Sequence, residues 1–84
     1  MARPALRLYS RRGCHLCTDF EQALRAWLGT HAPDQPLQVI DIDGDEDLRR
    51  RYNAEIPLLM LEDRLVLQYF FEPERMAQVI RPHV

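Results

Sequence analysis

Cys14 and Cys17 are the only cysteines in the chain, set as Cys-X-X-Cys with His15 and Leu16 between them. They fall where an extended apolar segment gives way to an amphipathic helical pattern. A thiol in the first turn of a helix meets backbone N–H groups that no helix carbonyl satisfies, together with the positive end of the macrodipole. Both favour the thiolate, which is the nucleophile. Residues three apart share a helix face, so Cys17 is within reach of Cys14 and the two can close and reopen a disulfide. The chemistry this allows is thiol–disulfide exchange: Cys14 at the exposed helix start attacks a substrate disulfide, and Cys17, one turn deeper, resolves the mixed disulfide. Arg11, Arg12 and a protonated His15 would stabilise the Cys14 thiolate.

Other uses of two cysteines remain open at this level. Buried thiols can serve as apolar filler, and a disulfide can be structural. A bridge between positions 14 and 17 closes a very short loop, however, and so restricts the unfolded chain little. A zinc site usually needs four ligands, and beyond the pair the chain offers only His15, His31 and His83, without a second Cys-X-X-Cys or a His-X3–5-His. No metal ligand set is therefore expected. Two alternatives of other classes stand beside the enzyme: a redox-responsive binding module without turnover, and a metal or cluster held between two copies by Cys14 and Cys17.

The elements that must position the pair follow from pattern. With 84 residues and a net charge of −2, the chain has room for one domain, spanning 1–84, and lacks the basic excess of a general nucleic-acid binder. The first seven residues hold no apolar stretch of signal-peptide or membrane-span length, so a reducing cytoplasm is the expected location and no membrane partner is expected. Ala5–Tyr9 alternates as a short strand after Pro4. From Leu16, apolar residues recur at helical spacing through Cys17, Phe20, Ala23, Leu24, Trp27 and Leu28, with Gly29 and Pro33 expected to stop the helix. Phe20 and Trp27 are expected to be core.

Leu37–Ile42 reads as a second strand, parallel to the first by a right-handed crossover. Asp43, with Glu46 three residues later as its capping-box partner, predicts a short helix to about Tyr52. Its acidic start and its run Arg49, Arg50 and Arg51 suit the dipole and ion pairing, so the arginines read as a solvated face. Pro57–Leu61 and Arg64–Phe70 predict a hairpin about Glu62-Asp63, a turn without glycine. A last helix is expected from Pro73, burying Met76, Val79 and Ile80 and ending at Pro82. The order is βαβ-α-ββα: an α/β fold with a four-stranded mixed sheet flanked by three helices.

In this arrangement the chain resembles the thioredoxin superfamily in its minimal form, and within it the glutaredoxin-like branch. The residues that carry the resemblance are the strand ending Leu8-Tyr9-Ser10, then Arg11, Cys14-His15-Leu16-Cys17, the Val39–Asp43 strand, and Ile56-Pro57 before an apolar hairpin. The run Arg-X-Gly-Cys-His-Leu-Cys looks like that of small bacterial glutaredoxin-like proteins. The resemblance implies a cis bond between Ile56 and Pro57. It gives Ile56 a backbone role toward a bound peptide or glutathione, makes Pro57 a shield for the disulfide, and gives Arg11 the place of a basic residue that meets a carboxylate.

The sequence departs from that family in two places. Glutathione-using members carry a Gly-Gly pair after the fourth strand, where this chain has Gln68-Tyr69-Phe70-Phe71-Glu72. The usual proline after the first cysteine is replaced by His15. No tightly bound cofactor is therefore expected, and weak glutathione binding at most. The expected partners are a disulfide-bearing protein or a low-molecular-weight thiol, with a thiol reductant system restoring the pair. The protein is expected to act as a monomer.

Overall fold

The computed structural model describes residues 3–80. Its elements run β1 (Leu6–Ser10), α1 (His15–His31), β2 (Leu37–Asp41), a 3-10 turn (Ile42–Gly44), α2 (Glu46–Tyr52), β3 (Leu58–Leu61), β4 (Arg64–Gln68) and α3 (Pro73–Val79). The four strands form one mixed sheet in the order β2-β1-β3-β4. β1 runs parallel to β2, with Ser10 opposite Asp41, and antiparallel to β3, with Tyr9 opposite Leu58; β3 and β4 form the hairpin.

Strand alternation divides the apolar side chains between two faces. Leu6, Leu8 and Leu59 pack with Phe20, Leu24 and Leu28 of α1 and Met76 of α3 in the larger core. On the other face Tyr9, Ile42 and Leu58 pack with Leu48 and Tyr52 of α2, and the Tyr9 and Tyr52 rings lie 4.7 Å apart. β4 breaks the alternation: a register shift between Leu59 and Met60 lets the consecutive residues Val66 and Leu67 both join the larger core. Among the described residues no helix is long and apolar enough to cross a membrane.

Several details differ from the sequence reading. α1 runs through Gly29 to His31 and is closed by Ala32, whose N–H donates to Leu28 O at 2.9 Å. An exposed helix glycine costs only about 1 kcal/mol, and burial of both Leu28 and Ala32 holds the last turn on the core. Leu16, placed on the inner stripe by periodicity, is instead 42% exposed.

The cap of α2 is Asp45, whose carboxylate accepts from the N–H groups of Asp47 (2.9 Å) and Leu48 (3.2 Å). The 3-10 turn delays the helix by two residues and sinks Ile42 into the core, which turns Asp43 away from the cap position. β4 stops at Gln68 because Tyr69 enters the left-handed region at φ 68°. α3 ends at Val79 with Ile80 buried as its cap residue. Pro82, its expected stop, and His83 lie outside the described residues.

Candidate active site

The chain leaves β1 at Ser10 and must turn sharply to begin α1. Gly13 makes the turn at φ 76°, a conformation that disfavours residues with a Cβ although nothing crowds the position. Cys14 follows in extended conformation (φ −94°, ψ 107°) as the N-cap of α1. Its Sγ accepts the backbone N–H of Cys17 at 3.1 Å. Thr18 ties down the same turn through its N–H (3.0 Å) and Oγ1 (3.2 Å), both donating to Cys14 O. An orphan donor of the first turn is thus aimed at the sulfur that would carry charge in the reduced protein.

Cys14 and Cys17 are joined as a disulfide, with Cα atoms 5.2 Å apart. Cys14 is half-buried, whereas Cys17 is 3% exposed and sits on the core side of the helix. Of the two sulfurs, Cys14 is thus the more accessible to an incoming one. The asymmetry required for a nucleophile and a resolving thiol is built into one turn.

Strand pairing brings the other candidate residues to the same end of the sheet. Leu58 lies opposite Tyr9, so Pro57 enters β3 beside the end of β1. The Ile56–Pro57 bond is cis, Pro57 is buried and Ile56 half-buried. The loop before it is held by the residues that follow β4: Tyr69 N–H donates to Pro57 O at 2.8 Å, Tyr69 OH to Ala54 O at 2.8 Å, and Gln68 Nε2 to Glu55 O at 3.1 Å. Where a glycine would pass freely through the left-handed region, Tyr69 is held there by these bonds.

Arg11 is engaged by side chains of its own chain. Its Nε and one terminal nitrogen fork the two carboxylate oxygens of Asp43, each at 2.9 Å, and the same terminal nitrogen donates to Asn53 Oδ1 at 2.7 Å. The paired hydrogen bonds, reinforced by charge, hold the Asp43 carboxyl below its ordinary value and raise the Arg11 guanidinium above its own. The sequence pattern makes Asp43 a helix cap and gives Asn53 no role. Separations of 32 and 42 residues gave no periodic signal for either contact.

Arg12 and His15 are exposed, and among the described residues neither has an ion pair or side-chain hydrogen bond. Arg12 is thus an uncompensated cation two positions before Cys14. Among the described residues, no three His, Cys, Asp or Glu side chains gather as a metal site would require.

The sequence matches the glutaredoxin-like domain (DUF836) over residues 5–81. Its fold is similar to protein Ne2328 of Nitrosomonas europaea, solved in solution, at 33% identity, 95% of this chain and 94% of that one, with a TM-score of 0.76. It is also similar to protein XcR50 of X. campestris, solved by X-ray diffraction, at 30% identity, 89% and 93% coverage and a TM-score of 0.67. A malarial protein, 15% identical over 92% of each chain, shares the fold at a TM-score of 0.64. No curated protein matches the sequence.

Proposed function

The chain belongs to the family of glutaredoxin-like domains, and from that premise we propose that it is a thiol–disulfide oxidoreductase acting on protein disulfides in preference to glutathione mixed disulfides. The observation that supports this reading best is the unequal setting of the pair: Cys14 is half-buried at the helix N-cap with the Cys17 N–H on its sulfur, and Cys17 is nearly inaccessible beneath it. In the reduced protein the Cys14 thiolate attacks one sulfur of the substrate disulfide. A Cys14–substrate bond forms, the substrate S–S bond breaks, and the leaving sulfur departs as a thiolate that takes a proton from water. Cys17, deprotonated as it reacts, then attacks Cys14 Sγ and expels the second substrate thiol. The substrate is reduced by two electrons and the pair oxidised by two, which an external dithiol restores. Such a cycle belongs in a reducing compartment, the cytoplasm.

Arg12 and, when protonated, His15 raise the thiolate fraction of Cys14 through space. Ile56 offers backbone groups to an extended substrate and Pro57 walls the disulfide. Arg11 serves the scaffold: with its fork filled by Asp43 it presents little to a ligand carboxylate. The bulky sequence Tyr69-Phe70-Phe71 keeps its backbone from a small ligand that would need charge-assisted bonds there. The test compares kcat/KM on a reducible protein disulfide and on a glutathione mixed disulfide at saturating reductant. The protein substrate should be the better one; a clear preference for the glutathione substrate would reverse the specificity proposed.

A further inference from the structure

Among the described residues five large apolar side chains are notably exposed, and three of them, Leu16, Tyr69 and Phe70, line a single groove beside the cysteine pair. Scattered apolar residues on a surface need no explanation, but convergence on one concavity does. Leu16 lies between the two cysteines and is 42% exposed; Phe70, just after β4, is 64% exposed. The floor is made by Phe20 and Phe71, in edge-to-face contact at 5.7 Å. The volume, about 320 Å³, fits one large side chain with its adjoining backbone.

The charge of the groove narrows its occupant. Asp19 is its one ionisable wall residue other than the Tyr69 phenol, is exposed, and its side chain has no ion pair or hydrogen bond among the described residues. A lone carboxylate over an apolar floor repels anionic ligands and favours an apolar group with a cation beside it. Phe20 is three residues beyond Cys17, so the groove begins within one helical turn of the pair, about 5.4 Å along the axis. An extended chain covers that in about two residues.

We propose that this groove is the docking seat of a disulfide-bearing polypeptide, taking a large apolar side chain within about two residues of the substrate cysteine, with Asp19 selecting a basic residue next to it. The proposal rests on the exchange activity inferred above and names its substrate class. Leu16 and Phe70 supply the contact area, and Phe20 with Phe71 gives it a fixed floor. Tyr69, pinned to Ala54 and Pro57, ties one wall of the groove to the loop that would receive the substrate backbone.

The experiment uses two disulfide-linked peptides, identical except that the residues flanking cysteine are Phe and Arg in one and Ser and Glu in the other, together with bis(2-hydroxyethyl) disulfide. Wild-type protein should reduce the Phe/Arg peptide with a kcat/KM about tenfold or more above the Ser/Glu peptide, the effect of burying one apolar side chain. Phe70→Ser should lower that ratio severalfold, leaving only the part that Asp19 contributes through the basic residue. Asp19→Asn should lower the ratio while leaving a preference for Phe over Ser in peptides that lack the basic residue. Reduction of the small disulfide with no discrimination between the peptides would overturn the docking proposal and leave the exchange reading standing. Failure to reduce any of the three would overturn both. A ratio unchanged in Phe70→Ser would place the discrimination elsewhere and also overturn the proposal.

Discussion

Cys14 carries two duties that substitution can separate. As N-cap it accepts the N–H of Cys17 at 3.1 Å and so satisfies one donor in the first turn of a 17-residue helix. As nucleophile it supplies the reacting sulfur. Cys14→Ser keeps a side-chain acceptor of nearly the same reach, and serine is among the best N-caps; Cys14→Ala leaves the donor without a protein partner. The difference should be about 1 kcal/mol. A domain of this size has a total stability of roughly 4–12 kcal/mol, so the loss is a measurable fraction. It corresponds to about 4–8 °C in Tm and, with a urea m-value near 1 kcal/mol/M, to a shift of about 1 M in midpoint. The assay is urea unfolding followed by far-UV circular dichroism, under strong reductant so that the disulfide contributes nothing. Both variants should be equally inactive in exchange, while Ala alone unfolds early. Coincident midpoints for Ser and Ala would mean that residue 14 does not cap α1, and the argument that the helix start activates it would fail with the cap.

Asp43→Asn should flatten the acid limb of the stability profile. Asp43 is held below its ordinary value of 3.8 by Arg11, so its contribution is fully present above 3.8 and is lost as pH falls through the lowered folded value. Urea midpoints from pH 7 down to 2.5 should show a shallower decline below about pH 4 in the variant, and identical acid limbs would contradict the pairing. Phe20→Ala should cost about 3–5 kcal/mol, measured by the same unfolding assay, because Phe20 is buried and backs Phe71; a loss under about 1 kcal/mol would place it outside the core. Arg50→Ala should leave the midpoint unchanged, since its partner is the exposed Asp47; loss of activity with stability intact would make the arginine run a docking patch.

The parts of this molecule legible in its sequence are those fixed by short-range pattern. Cys-X-X-Cys between a strand and a helix, the branched run Leu37–Ile42 and Pro73 at a helix start each state their structure within a few residues, and the element order followed from them. Boundaries set by tertiary burial were less legible. Gly29 is a sound stop signal that the burial of Ala32 overrides, and Leu16 meets the helical period yet faces outward, because the stripe begins only where the helix meets the sheet. The clamp of Arg11 on Asp43 and Asn53 was beyond sequence reasoning altogether. It joins three loops that meet only once β1 and β2 lie side by side, and a 3-10 turn that no pattern announced points Asp43 toward it. The groove below Leu16 and Phe70 has the same origin: helix and loop become neighbours only in the folded sheet.

The central claim is that Cys14 attacks and Cys17 resolves. Its most direct test is intact-mass and peptide-mapping mass spectrometry of the reduced single-cysteine variants incubated with a protein disulfide. Cys17→Ser should accumulate a mixed disulfide mapped to Cys14, while Cys14→Ser should accumulate none, its remaining thiol lying under the helix start. An adduct on Cys17 in Cys14→Ser at a comparable rate, or none in Cys17→Ser, would contradict the account.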